Sequence, residues 1–329
     1  MWAQTLVAPA RFELQDVPAP DEGQVGADEV LLRVLAGGIC GSDLPYFKGA
    51  PQLGTAGGPE PYRPLRPGFP LHEVVGEVMA SRHPEVRVGT RVVGWASRTD
   101  AMSEYLIARG AGLGEYDPEL PPATAILLQP LACVMYALEQ VPDIEGARAA
   151  VIGLGPIGVL FAHALKGLGA RHVIGVDRVD RSDVASAFGI DQTVHASSEV
   201  WAGTLQSDAE RPRIIVEAVG HQVTTLANAV SALGFGGHIY YFGIPDDPVY
   251  PFPMLGFLVK NARLSSGFTP ERDRRPSLAR AEKYLLAHPD LQRRYVTNLF
   301  PFAEAQAAFE TSVVPAVGRL KVVMTAPGV

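Results

Sequence analysis

Short runs of β-branched and aliphatic residues, each closed off by glycine, proline or a polar cluster, dominate the first third of the chain. DEVLLRVLAGG, EVVGEVMAS and GTRVVGW are of this kind and predict strands. The stretch from Lys48 to Pro70, KGAPQLGTAGGPEPYRPLRPGFP, holds too much proline and glycine for regular structure and predicts a long loop, mobile or shaped over a site. The texture changes near residue 123, where ATAILLQPLACVMYALEQV shows mixed helical spacing interrupted by Pro130. Strands and helices then alternate. AAVIGLG, HVIGVD, RIIVEAVG and HIYYFGI read as strands, and PIGVLFAHALKGLG, DRSDVASAFG and TTLANAVSALGFGG as helices. Such alternation builds an α/β unit with a parallel sheet and helices on both faces. The tail from about Arg263 predicts a helical NLFPFAEAQAAFETSVV and a strand in GRLKVVM, with the chain returning to the first domain. ERDRR at 271–275 reads as a surface loop, and Asp180, Arg181 and Asp183 as a solvated helix start.

Composition bounds this picture. The 329 residues suffice for one large domain or two ordinary ones. With 47% hydrophobic and 19% charged residues the chain has the balance of a soluble globular protein. A net charge of −7 leaves no basic footprint for nucleic acid. No apolar run reaches the roughly 20 residues of a membrane span, and MWAQTLVAPARFELQD lacks the pattern of a signal peptide. Cys40 and Cys133 make no disulfide framework. A cytoplasmic protein is expected, with a small-molecule substrate and neither nucleic acid nor membrane as partner.

Two constellations carry chemistry. Cys40 in GGICGSD and the pair His72-Glu73 in PLHEVVGEV offer a thiolate, an imidazole and a carboxylate, the ligand types of a catalytic zinc. Adjacent residues of a strand point to opposite faces. Simple strand geometry therefore lets one of His72 and Glu73 bind while the other takes a supporting or exchangeable place. Taken singly, Cys40 reads better as a buried small residue and His72 as a core histidine bonded to backbone. Cys133, on a helix, reads as a buried structural thiol. The second constellation is GLGPIG, with Gly153, Gly155, Pro156, Ile157 and Gly158 between a strand and a helix. Its glycines allow a tight turn and bring backbone close to a pyrophosphate at the positive helix end. Asp177, closing the next strand, is placed to accept ribose hydroxyls and to repel a 2′-phosphate, which favours NAD over NADP. Arg178 beside it can serve a phosphate or stack on adenine. The plain alternative is a glycine-rich turn in an α/β protein that binds something else. Together the two constellations suggest alcohol oxidation by hydride transfer.

The order GGICGSD, HEVVGEV, GTRVVG, SEYL, QPLA, GLGPIG, VD, VEAVG and a terminal KVVM resembles the zinc-dependent medium-chain dehydrogenases, most closely the polyol and threonine dehydrogenase branch. The resemblance spans nearly the whole chain. It implies a GroES-like catalytic domain at 1–128 and 263–329, interrupted by a Rossmann NAD-binding domain at 129–262, with the site in the cleft between them. It implies Cys40 and His72 as zinc ligands and Glu73 as a ligand that binds directly or exchanges with water. Ser42 matches the hydroxyl that takes the alcohol proton. Tyr46 and Lys48 follow CGSD where relatives contact substrate, Gln129 is a substrate-side candidate, and His221 lies where relatives approach the nicotinamide. A polar secondary alcohol is implied (a polyol, sugar, cyclitol or aminocyclitol), as is a homodimer or a tetramer.

Four departures qualify the resemblance. GTRVVG reaches SEYL through only WASRTDAM, so the cysteine lobe and its structural zinc are absent. Gln129, a neutral and poor ligand, stands before Pro130 where the branch usually has Glu. Leu71 replaces the glycine before His-Glu and brings either backbone strain or a bulky group into the site. Pro45 replaces a relay histidine. One catalytic zinc held by Cys40, His72 and Glu73 or water, a weakly held zinc, and a site without zinc all remain open. So do a zinc-free quinone or enoyl reductase and a nucleotide-binding protein without catalysis.

Overall fold

β-Branched alternation gives the first unit its antiparallel strands. The computed structural model describes residues 1–50 and 66–328; most of the expected loop, residues 51–65, lies outside the described residues. β1 (Trp2–Ala8) and β2 (Arg11–Asp16) form a hairpin. β3 (Glu29–Gly38), β4 (Glu73–Ser81), β5 (Arg91–Trp95), β6 (Tyr105–Arg109) and β7 (Leu113–Glu115) pair antiparallel around β3 and β4.

The middle of the chain forms a sheet of six parallel strands: β8 (Arg148–Ile152), β9 (His172–Asp177), β10 (Gln192–His195), β11 (Ile214–Glu217), β12 (His238–Tyr241) and β13 (Arg263–Ser266). Their order is β10-β9-β8-β11-β12-β13. Ala150, Ile152, Ile174, Val176 and Ile215 of one face pack on Trp201, Ala229 and Val230 from the helices Ser198–Thr204 and Thr225–Ala232. On alternate strand positions, which face the other way, Tyr240 meets Phe161 of the helix Pro156–Gly167. The expected doubly wound unit is therefore present.

After the helix Glu271–Ala287 the chain rejoins the first sheet with β14 (Val296–Pro301) and β15 (Lys321–Thr325), giving the order β14-β15-β3-β4-β5-β7. The compact units are Met1–Ala132 with Pro270–Val314 and Arg319–Val329, and Cys133–Thr269 with Pro315–Gly318. Among the described residues no helix is long and apolar enough to cross a membrane.

Several expectations need correction. Arg263–Ser266 was expected to begin the returning segment, but it pairs with β12 as an edge strand; RLSS is too short and too polar to announce a strand. NLFP belongs to β14, because its alternate exposure suits an edge strand better than a helix. ERDRR is the first turn of a 17-residue helix whose Ser277, Leu278, Ala281 and Leu285 form a buried stripe. DRSDVASAFG forms turns and a short 3₁₀ segment, Ser186–Phe188, instead of an α-helix. Arg181 is buried and donates to the Ala316 carbonyl, while Asp183 accepts from Gly318 N, so this segment anchors a loop and is not a solvated cap. Pro130 does not interrupt Leu128–Leu138, since it falls in the first turn, where no intrahelical donor is lost.

Leu71 resolves one of the departures. Its φ is not positive, it has no solvent exposure, and it lies in the core cluster of the first unit. A Cβ on Gly37 would stand 2.4 Å from Leu71 Cδ2 and 3.2 Å from Phe302 Cζ. Leu71 thus fills the space that glycine leaves in β3, so it neither strains the backbone nor crowds the candidate ligands. Leu71→Ala should cost about 2–5 kcal/mol, read as a lowered midpoint in a denaturant titration followed by tryptophan fluorescence.

Candidate active site

β3 ends at Gly38, and the chain then turns sharply. Cys40 precedes a 3₁₀ turn, Gly41–Asp43, whose Asp43 folds back so that Oδ2 accepts from Cys40 N at 2.9 Å. The other carboxylate oxygen, Oδ1, lies 2.8 Å from His72 Nδ1. Asp43 is almost fully buried, so this bond fixes the imidazole, which also hydrogen-bonds the Cys40 side chain, and leaves Nε2 as the ring atom that could coordinate a metal. Burial works against charge on His72, but the carboxylate of Asp43 and the nearby Cys40 outweigh it and hold the pKa well above the ordinary histidine value.

His72 is the last residue before β4 and Glu73 its first. Strand alternation therefore does not separate them. Ligand atoms of Cys40, His72 and Glu73 all lie within 4.8 Å of one another, close enough for one cation to draw together. The separation that strand geometry predicts for the pair is therefore not what the structure shows: both side chains lie in one cluster with Cys40.

Glu73 has no solvent exposure. It sits across from Gly38 of β3, where a Cβ would come within 2.3 Å of its Oε2. Lys321, opening β15 and equally buried, holds Glu73 Oε1 at 2.5 Å. Burial pushes the Glu73 carboxyl above its usual value against the pull of Lys321. The second oxygen, Oε2, is buried with no hydrogen-bond partner among the described residues. A buried carboxylate oxygen without a donor is costly, and a cation beside Cys40 and His72 would satisfy it. The residues present fit a zinc ion with three protein ligands and one open position.

The remaining candidates take varied places. Ser42, half-buried, is within the same turn. Pro45 is the second residue of the short helix Leu44–Phe47, whose Tyr46 packs its ring 5.3 Å from Phe69; Lys48 follows it, exposed. Gln129 is buried in the first turn of Leu128–Leu138. Asp43 lies within GGICGSD and Lys321 opens KVVM, and neither motif by itself assigns the residue a role. A carboxylate three residues after the cysteine was a legible clue. A lysine opening the apolar run KVVM was an ambiguous one.

In the second unit, β8 runs into Gly153 at φ +90°, and Gly155 precedes the first turn of the helix, which starts with Pro156 and Ile157. A Cβ on Gly158 would come within 1.8 Å of Gly153 O, so only glycine lets helix and strand end meet there. At Gly155 a Cβ would meet nothing within 4 Å, which leaves open space beside a helix N-terminus suited to an anion. Asp177 accepts from Leu154 N at 2.7 Å and from Val179 N at 2.8 Å. It braces the glycine turn, and each oxygen keeps a lone pair for a ribose hydroxyl. Arg178 beside it is exposed. His221 is in a left-handed conformation at φ 50° with Nδ1 at 2.5 Å from Asp246.

Residues 26–117 match the alcohol dehydrogenase GroES-like domain, and residues 156–282 match the zinc-binding dehydrogenase family. Sorbitol dehydrogenase of Bombyx mori is 24% identical over 94% of this chain and 94% of its own length. L-idonate 5-dehydrogenase (NAD(P)(+)) of Escherichia coli is 29% identical over 72% of this chain and 76% of its own. The structure of the alcohol dehydrogenase TADH from Thermus sp. ATN1 superposes with a TM-score of 0.82 at 26% identity, covering 99% of both chains. With two family models matched in their proper places and both sheets present, the chain belongs to the medium-chain dehydrogenase/reductase superfamily, as an oxidoreductase related to the polyol and threonine dehydrogenases.

Proposed function

We propose that this oxidoreductase passes hydride between NAD and a polar secondary alcohol (a polyol, sugar, cyclitol or aminocyclitol) and holds one catalytic zinc. The observation that carries the metal is Glu73 Oε2, buried without a donor beside Cys40 and His72. Relatives named for sorbitol, D-arabinitol, L-idonate and erythritol or L-threitol support a polyol-like substrate.

Cys40, His72 and Glu73 would hold the ion, which when bound polarises the alcohol C–O bond and lowers the hydroxyl pKa. Asp43 keeps His72 in one orientation, and Lys321 offsets part of the carboxylate charge. Ser42 accepts the alcohol proton. Pro45 offers no relay, so the proton has to leave through water or another side chain. Tyr46 and Gln129 line the substrate side. Gly153, Gly155, Pro156, Ile157 and Gly158 cradle the pyrophosphate, and Asp177, with Arg178 beside it, receives the adenosine ribose. Two cysteines, one of them a proposed ligand, suit a reducing compartment such as the cytoplasm.

The proposed partner is a second copy of the chain. β13 is a free edge of the parallel sheet. Next to it Leu255, Leu258 and Phe268 are 73%, 69% and 81% exposed. A twofold pairing of this edge with itself would satisfy its backbone groups and cover those side chains at once.

Outcomes follow for the metal, the cofactor and the assembly. Gently purified protein should carry about one zinc per chain by elemental analysis, and Cys40→Ala should lower kcat/KM on polyols about 10³-fold. Full activity after chelation to under roughly a tenth of an equivalent of zinc would overturn the metal reading. A panel that turned over enones and not alcohols would point to the enoyl-type reductase instead. Asp177→Asn should shrink the preference for NAD over NADP by about tenfold, measured as the ratio of kcat/KM values. Light scattering should report twice the chain mass, and Leu258→Glu should shift the protein toward monomer.

A further inference from the structure

Glu217, the last residue of β11, has no solvent exposure and is used by no step above. Its Oε1 accepts from Val219 N at 3.2 Å and from Gly220 N at 3.2 Å, and Oε2 lies 3.4 Å from Gly220 N. Gly243 packs against the same carboxylate, where a Cβ would stand 2.6 Å from Oε2, and the Thr225 hydroxyl, which donates to Gln222 O at 3.1 Å, lies beside it. Its main-chain carbonyl accepts from Phe242 N at 2.9 Å and Gly243 N at 3.2 Å. One residue thus gathers the loops that follow β11 and β12.

Those loops meet backbone to backbone. A Cβ on Gly220, at φ +59°, would come within 2.6 Å of Ile244 N, and one on Gly243 within 2.1 Å of Gly220 N and 2.6 Å of Glu217 Oε2. His221 N donates to Ile244 O at 2.8 Å. The third loop, after β8, touches the same knot, since a Cβ on Gly153 would stand 2.6 Å from Val219 Cγ2. Strand order reverses between β8 and β11, with Ile152 paired to Glu217 at the ends of the two strands. A dinucleotide lies across such a reversal. Asp177 closes β9 in the β8–β10 half, the half that takes the adenosine, so the loops after β11 and β12 belong to the nicotinamide half.

We propose that Glu217 is a positioning residue for the nicotinamide half of the dinucleotide site, holding the 218–221 and 242–244 loops in the shape the nicotinamide needs. This rests on the NAD reading above. Burial pushes the carboxyl up in pKa, while its hydroxyl and backbone donors pull it down. Gln in its place keeps the shape but turns one acceptor into a donor aimed at N–H groups, which leaves buried donors unsatisfied. The adenosine half, braced by Asp177, is untouched by that change.

The test compares NADH with ADP-ribose, which lacks the nicotinamide, by calorimetric titration of the full chain. Wild type should bind both. Glu217→Gln should weaken NADH about tenfold or more and leave ADP-ribose within about twofold. Thr225→Val, which removes the hydroxyl that donates to Gln222 O beside the Glu217 carboxylate and preserves shape, should weaken NADH about threefold with ADP-ribose unchanged. It carries the test by itself if Glu217→Gln does not fold. Equal weakening of both ligands, or no change in NADH, would overturn the role of Glu217 and leave the NAD reading standing. A wild-type chain that binds neither ligand would overturn the NAD reading and this inference with it.

Discussion

Glu73 has no access to water, so its charge has to be met inside the protein. Lys321 meets it at one oxygen, across 248 positions of sequence. Leaving such a charge without a partner costs about 3–5 kcal/mol. The pairing therefore joins the start of β4 to the C-terminal strand, and only a chain that returns to its first sheet can form it. Gly38 is part of the same constraint, since any side chain there would occupy the volume of Glu73 Oε2. The other oxygen has no donor among the described residues, and Glu73 lies with Cys40 and His72 in a cluster that could hold a metal ion.

The second unit uses carboxylates in a related way. Asp177 and Glu217 each stand at the C-terminal end of a parallel strand and accept backbone N–H groups from glycine-containing loops. Loops that meet backbone to backbone leave donors pointing inward, where water does not reach. A fixed acceptor there satisfies them and sets the loop shape at once. The two acids stand on opposite sides of the strand reversal, the place where open parallel sheets bind their ligands.

Much of this was legible along the chain. Long, strongly patterned elements such as β3, β4 and the helix Pro156–Gly167 were read where they lie, because burial on one face imposes a period that survives in the residues. GLGPIG was legible because its glycines answer to local geometry. The misreadings share a cause. RLSS, NLFP and ERDRR are short or polar, and only their neighbours made them an edge strand, an edge strand and a helix. Leu71 was read as a threat to the site because its partner, Gly37, is distant in sequence and adjacent only across the sheet.

The sequence by itself determined the two-part α/β plan, the residue types at the candidate metal cluster and the nucleotide turn. These depend on periodicity and on local chemistry, which neighbouring residues encode. Tertiary structure alone decided that His72 and Glu73 reach one point, that Asp43 orients the imidazole, that Lys321 offsets Glu73, and that Glu217 binds two loops together. These depend on groups from separate elements being buried side by side, where low access to water makes every unpaired charge or donor costly.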